Sequence, residues 1–318
     1  MNAVVTGVGL ALPGVRSAAD LLGPVRTDAA AVDPAARIGK KGLRYKDRAT
    51  QLALCCADET LRDAGLLGED GLTVPGETVA VLVASNHGNA DTVCAVVELI
   101  AAEGSTRGIS PMDTPNASSN VIASTLAIKY GLRGPNLMIC NGPTSGLDAV
   151  RWADALITSG RAGRALVLGV EPDNEVVRAL TGAERVVDGA AAVLVEHPDL
   201  ARERGAGPRA VLGLSVRTSG VEACLDTLGS AGPDSAPGAW FPPGDGPGGV
   251  AGDFLPRIPR HDLSEAWGET SAVLGVLQCV GAVGWYAGGG AGPVYALAGR
   301  AGDDATAGLA LLAPGTAR

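Results

Sequence analysis

With 318 residues, 46% of them hydrophobic and 19% charged, the chain has the composition of a globular protein with a sizeable core and not of a disordered one. A net charge of −9 argues against nucleic acid or an anionic membrane surface as the main partner. Aromatics are only 3%, so the core must be assembled from Ala, Val and Leu, small side chains suited to closely packed layers of helix and sheet.

In chain order, Val4 to Thr6 reads as an opening strand, broken by the turn TGVGLALPG. TGVG is not a dinucleotide loop, because the third glycine of GxGxxG is missing and Leu12-Pro13 interrupts any helix start. A basic, polar segment follows from Ala36 to Arg48. Asp47 is placed to cap a helix whose apolar positions Ala49, Leu52, Cys55, Cys56, Ala57 and Leu61 keep helical spacing as far as Gly65. VAVLVAS at 79–85 has the length and continuity of a buried parallel strand. Helices are expected over roughly 90–103 and 118–130, separated by the loop SPMDTPN and followed by the turn GLRGPN. LMICNGPTSGLDAV (137–150) reads as a short strand, a tight turn and the start of a helix ending at Gly160. ALVLGVE (165–171) and AAAVLVE (190–196) read as further strands. This alternation indicates α/β layering. Gly and Pro crowd 229–252, read as an irregular loop. A helix is expected over roughly 270–286, and VYALAG and GLALLAP close the chain as an antiparallel hairpin around GRAGDD.

The six cysteines, at 55, 56, 94, 140, 224 and 279, form no CxxC pair, which speaks against zinc ribbons and dithiol redox motifs and for reduced thiols in a cytosolic core. Met1 is followed at once by strand-like sequence, so no signal peptide is visible, and no apolar run is long enough to span a bilayer. A cytoplasmic location is expected, and neither cofactor nor metal.

VVTGVGLALPG, DRATQLALCCADETLRDAGL, SPMDTPNASSNVIASTLAIKYGLRGPN, SGLDAVRWADALITSGRAGRALVLGVEP and DGAAAVLVE together resemble the β-ketoacyl synthases of the thiolase fold. The resemblance is nearly continuous over 1–196, weak afterwards, and recognisable again from about Leu263. It implies a five-layered αβαβα sandwich of two pseudo-repeated halves, 1–196 and a shortened 197–318, normally dimeric.

The departures from the family pattern bear on function. In active members the turn reads Ala-Cys-x-Ser-Gly, and the Cys accepts the acyl group. Here GPTSG stands in register and puts Pro143 at that position. Proline forms no thiolate, and the family's oxyanion hole uses the backbone N–H of the same residue, which proline lacks. The resemblance also implies a His between about 225 and 260, where the sequence has none, and a Lys-Ser-x-x-Gly-His motif. The best counterpart of that motif is SEAWGETSA, with Ser264 for the Lys and Glu269 for the His. The expected function is therefore that of a catalytically inactive chain-length-factor-like subunit. It would heterodimerise with an active ketosynthase and help shape its acyl tunnel in type II polyketide or aryl-polyene-like biosynthesis, with an acyl carrier protein, contacted mainly by the ketosynthase, as further expected partner.

In the resembling family the SPMDTP loop approaches the dimer twofold, which marks Met112, Asp113 and Thr114 as candidate plugs of the partner's acyl pocket, with an ordinary interface loop as the alternative. Leu137, Met138, Ile139, Cys140 and Asn141 are expected to pair with the partner's matching strand. The competing reading is a stand-alone acyltransferase or hydrolase using Cys140 or His87. Against it, Cys140 continues an apolar strand and reads as core, and His87 in SNHGN reads as a turn histidine bonded to local backbone. The cluster Arg37, Lys40, Lys41, Arg44, Lys46 and Arg48 suits an acidic carrier protein or, more simply, a solvated loop.

Overall fold

The computed structural model describes residues 2–24, 26, 28–230, 236–244, 254–300, 303 and 305–316. The first half carries β1 (Val4–Ala11), α1 (Pro34–Ile38), α2 (Arg48–Asp63), a small hairpin of β2 (Leu67–Gly68) and β3 (Gly71–Leu72), β4 (Val79–Ala84), α3 (Ala90–Glu103), α4 (Val121–Tyr130), β5 (Asn136–Ile139), α5 (Ser145–Thr158), β6 (Arg164–Glu171), α6 (Glu175–Thr181) and β7 (Gly189–Glu196). The second carries α7 (Pro198–Glu203), β8 (Ala210–Thr218), α8 (Val221–Gly229), β9 (Ala239–Phe241), α9 (Leu263–Trp267), α10 (Leu274–Ala287), β10 (Val294–Ala298) and β11 (Thr306–Leu312).

Nine strands run in the order β5-β4-β6-β7-β1-β8-β11-β10-β9. The join in the middle is slight, for β1 meets β8 only at Val4↔Val211 and Val5↔Ala210. On either side of it the order repeats. Outward from the join, antiparallel pairs (β1–β7–β6 and β8–β11–β10) give way to parallel ones (β6–β4–β5 and β10–β9). Among the described residues the second half has four such strands where the first has five.

Helices α5 and α10 lie side by side between the two sheets, in a core built from Val167, Val193, Leu147, Val276 and Val280. They approach so closely that a Cβ on Gly275 would stand 2.4 Å from the Leu147 amide nitrogen. Helices α2 and α4 cover the outer face of the first sheet, and α8 covers that of the second. This is the five-layered thiolase-like sandwich, with a shortened second half. Helix α2 begins where Asp47 Oδ1 accepts the Thr50 N–H (2.6 Å), and the chain turns away at Gly65, φ +71°.

Two expectations need correction. The opening strand does not stop at Thr6. It runs on to Ala11 through a bulge between Val5 and Gly7, because pairing with β7 satisfies the TGVGLA backbone that composition alone reads as a turn. Within 229–252, residues Ala239–Phe241 form β9, whose Trp240 and Phe241 are fully buried; 231–235 and 245–253 lie outside the described residues. The closing hairpin of β10 and β11 is antiparallel as expected. Of the described helices, none is long and apolar enough to cross a membrane.

Candidate functional site

β5 delivers the chain to a single 3-10 turn, Gly142–Thr144, from which α5 starts. Gly142 has φ +66°, and Pro143 occupies the first turn, where a missing N–H interrupts no helical bond. The turn is held from below by Asp148, which is buried. Its Oδ2 accepts from Asn141 Nδ2 (2.7 Å), Thr144 Oγ1 (2.7 Å) and Arg217 Nη1 (2.9 Å), the last arriving from β8. Asn86 holds it from above. Its Nδ2 donates to the Gly142 carbonyl (2.9 Å) and to Ser271 Oγ (2.8 Å), and its Oδ1 accepts from Ser145 Oγ (3.0 Å).

Pro143, Ser264 and Glu269 line one cavity, together with Ser271, Leu274 and Arg300. Its volume is about 20 Å³, room for roughly one water molecule. Glu269 Oε1 accepts the Ser271 N–H (2.8 Å), and Oε2 is ion-paired with the Arg300 guanidinium. Ser271 stands at φ +45°, a strained backbone for a non-glycine residue that its bonds to Glu269 and Asn86 maintain. Ser264 is turned toward Asp262, whose Oδ1 accepts both its N–H (2.9 Å) and its hydroxyl (2.6 Å) at the start of α9. Among the described residues, neither a thiol nor an imidazole lines this cavity. The carboxylate faces a guanidinium and the apex has no hydrogen to donate.

A second cluster sits behind the turn. Glu171 is fully buried at the end of β6 and accepts the N–H groups of Asn86 (2.6 Å) and His87 (3.1 Å). The His87 main chain is thus bonded locally, with its carbonyl taking the Ala90 N–H, but its ring is not: Nδ1 lies 3.7 Å from Glu171 Oε2 without a hydrogen bond. The Glu171 carboxylate raises the His87 pKa above the ordinary histidine value, against the opposing effect of desolvation. Cys140 is exposed, not part of the core, because β5 is an edge strand and the chain leaves the sheet at this residue. Its Sγ rests on the Ser85 carbonyl (3.0 Å), and desolvation, with the Glu171 charge second, raises its pKa, the opposite of an activated thiol.

Met112, Asp113 and Thr114 lie exposed on the 110–115 loop, and Leu137 and Met138 are partly buried on β5 with Ile139 beneath them. The basic cluster divides. Arg37 reaches the Leu10 carbonyl and Glu59, Lys46 reaches Thr125, and Arg48 makes a forked pair with Asp188. Lys40, Lys41 and Arg44 are exposed and, among the described residues, without ion pairs. Sequence reasoning missed Arg217 and Arg300, since neither stands in a motif and both partners, Asp148 and Glu269, are distant along the chain.

Residues 15–183, more than half of the chain, match the family model described as β-ketoacyl synthase, N-terminal domain. The chain belongs to the β-ketoacyl synthase family. Curated relatives include the tetracenomycin polyketide synthase ketoacyl synthase alpha subunit of Streptomyces glaucescens, 31% identical over 189 residues (50% of this chain, 43% of the relative). Another is a 3-oxoacyl-[acyl-carrier-protein] synthase 2 of Vibrio harveyi, 30% identical over 135 residues (42% of this chain, 31% of the relative). The matched stretch spans less than half the length of these relatives. Among solved structures, the ishigamide ketosynthase/chain length factor superposes with a TM-score of 0.78 at 20% identity, covering 98% of this chain and 99% of the other. A type II polyketide ketosynthase solved with its acyl-carrier protein gives the same TM-score and coverage at 17% identity. At such identities these structures speak for the fold alone.

Proposed function

We propose that this chain is a non-condensing, chain-length-factor-like subunit that pairs with an active ketosynthase in type II polyketide or aryl-polyene-like biosynthesis in the cytoplasm. One observation carries the reading: the acyl-accepting position holds Pro143, in a cavity of about 20 Å³ where the Glu269 carboxylate is taken up by the Ser271 N–H and the Arg300 guanidinium. Neither a thioester nor an attacking thiolate has a place there.

A partner is supported by what the surface leaves open. The two outer edges of the sheet differ: β9 is covered by residues 259–261 through Trp240 N–H to Pro259 O (2.9 Å) and His261 N–H to Trp240 O (3.0 Å), whereas β5 pairs, among the described residues, with β4 alone. An open apolar edge is a template for another strand. Helix α3, packed against α6 and the turn at Thr114–Ala117, buries none of its residues, although Val93, Val97 and Ile100 give it an apolar surface. In this reading Met112, Asp113 and Thr114 reach the partner's acyl pocket, and Lys40, Lys41 and Arg44 offer cations to an acidic carrier protein.

The test is co-expression with a ketosynthase encoded beside this chain. A one-to-one complex is expected, with an acyl-thioester probe labelling only the partner in intact-mass spectra. Labelling of this chain in isolation, lost on Cys140→Ala, would instead establish a stand-alone acyltransferase or hydrolase. Thr114→Trp is expected to shorten the product of the complex; an unchanged product removes the tunnel role.

A further inference from the structure

A second opening lies at the far end of α10. Leu274 lines the Pro143 cavity, whereas Val283 and Ala287 line a cleft of about 570 Å³, roughly 14 to 20 Å further along the helix at its rise per residue. The cleft has a topological origin. β1 pairs with β8 at Val4 and Val5 only, so the edge of β1 at Val8–Leu10 has no strand beside it.

That edge is already closed to another strand. Asp63 Oδ2 accepts the Val8 N–H (2.8 Å) and Arg37 Nη1 donates to the Leu10 carbonyl (2.6 Å), so side chains occupy the main-chain groups a peptide would need. What remains is an apolar trough with charges at its rim. Arg209 is neutralised by Asp63 (2.7 Å), and Glu59 stands 3.5 Å from Arg37. Arg16 is the rim cation with no ion pair among the described residues, on a segment fixed by Asp20 Oδ2, which accepts the Arg16 and Ser17 N–H groups (2.9 Å each).

We propose that this cleft binds a small amphipathic monocarboxylate, its acid group on Arg16 and its hydrocarbon along Val8, Leu10, Val283 and Ala287. The volume is that of an ordinary small-molecule site, and the walls are mostly apolar with few polar groups, as such sites require. The charge count selects the ligand. Arg16 offers one guanidinium, and the carboxylates of Asp20, Glu59 and Asp63 around the rim disfavour a dianion such as a phosphate monoester. The inference is independent of the proposed pairing with a ketosynthase.

Titration calorimetry of the full chain with octanoate tests it, with octyl phosphate and octanol as probes of charge. Saturable one-to-one binding of octanoate is expected, weakened about tenfold or more by Arg16→Ala, the loss of one charge-assisted contact. Ala287→Trp, at an exposed position where bulk fills the trough without disturbing the core, should abolish it. Octyl phosphate and octanol should bind more weakly than octanoate. No saturable binding to the unmodified chain, equal affinity in both variants, or octyl phosphate binding as tightly as octanoate would each overturn the assignment.

Discussion

In the proposed reading Pro143 stands where active relatives carry the acyl-accepting thiol and offers neither a thiol nor a backbone donor, and its surroundings differ as well, so one substitution should not restore the chemistry. Pro143→Cys supplies a thiol and an N–H, yet the new thiol would face the Glu269–Arg300 pair, with no imidazole among the described residues lining the cavity, in a space the size of one water. The variant is expected to remain unacylated after incubation with an acyl thioester, read by intact mass. Acylation at that cysteine would mean that the cavity opens and that Glu269 can serve as a base. His87 gives a second residue-scale expectation. Its pKa is raised, chiefly by Glu171 and further by Glu269, while desolvation and Arg300 oppose the rise. A histidine of raised folded pKa adds stability that is fully present below its unfolded value near 6.5 and is lost as pH rises through the folded value. The imidazole resonances should therefore titrate with a midpoint above 6.5. The stability advantage of the unmodified chain over His87→Gln should be larger at pH 6 than at pH 8.5. A midpoint at or below 6.5 would show that burial outweighs Glu171.

Helix α2 shows how an element's cap can carry a hidden cost. Asp47 Oδ1 caps the Thr50 N–H at 2.6 Å, but Oδ2 is buried without a hydrogen-bond partner, and desolvation raises the carboxyl pKa. The cap needs one acceptor oxygen and gains nothing from burying a charge. Asp47→Asn keeps the acceptor and should match or exceed the original stability in urea at pH 7, whereas Asp47→Ala should lose about 1 kcal/mol. Because the folded pKa is raised, the contribution of Asp47 weakens as pH climbs through that value, and the Asn variant should flatten this part of the stability profile. Elements with strong local signals were legible in the sequence in this way: α2 from its cap and spacing, α3 and β4 from apolar runs of the right length. β8 and α8 were not, because β8 is half exposed beyond Leu212 and carries no clean alternation. β9 was hidden for a different reason, three residues inside a Gly- and Pro-rich stretch that become a strand only through pairing with β10. At the site, Pro143 and Glu269 were singled out from the motif resemblance around them, and the structure brings both to one cavity. Arg300 and Arg217 were not singled out, since an ion pair between distant segments leaves no local pattern.

At the scale of the molecule, the two halves meet along α5 and α10, and the closeness of that contact is set by glycine. Gly146 and Gly275 face each other: a Cβ on the first would lie 2.7 Å from the Ala272 carbonyl oxygen, and on the second 2.4 Å from the Leu147 nitrogen. Both obstacles are backbone, which cannot rotate aside as a side chain would. Two effects then compete in Gly275→Ala. Within a helix, alanine is favoured over glycine by about 1 kcal/mol. Against this stands overpacking of a closed core, typically ~1–3 kcal/mol, here at an approach that real Cβ atoms essentially never show. The backbone clash should win, so that Gly275→Ala lowers stability by about 1 kcal/mol or more. Because the contact joins both sheets, the loss should appear as a shift of one cooperative transition and not as early melting of one half. Urea denaturation of a Trp152→Phe background, whose remaining tryptophans 240, 267 and 285 all lie in the second half, followed by fluorescence and by far-ultraviolet dichroism over the whole chain, distinguishes these outcomes. An unchanged or raised midpoint would mean that α5 and α10 can separate at no cost, and that the middle layer does not bind the two halves together.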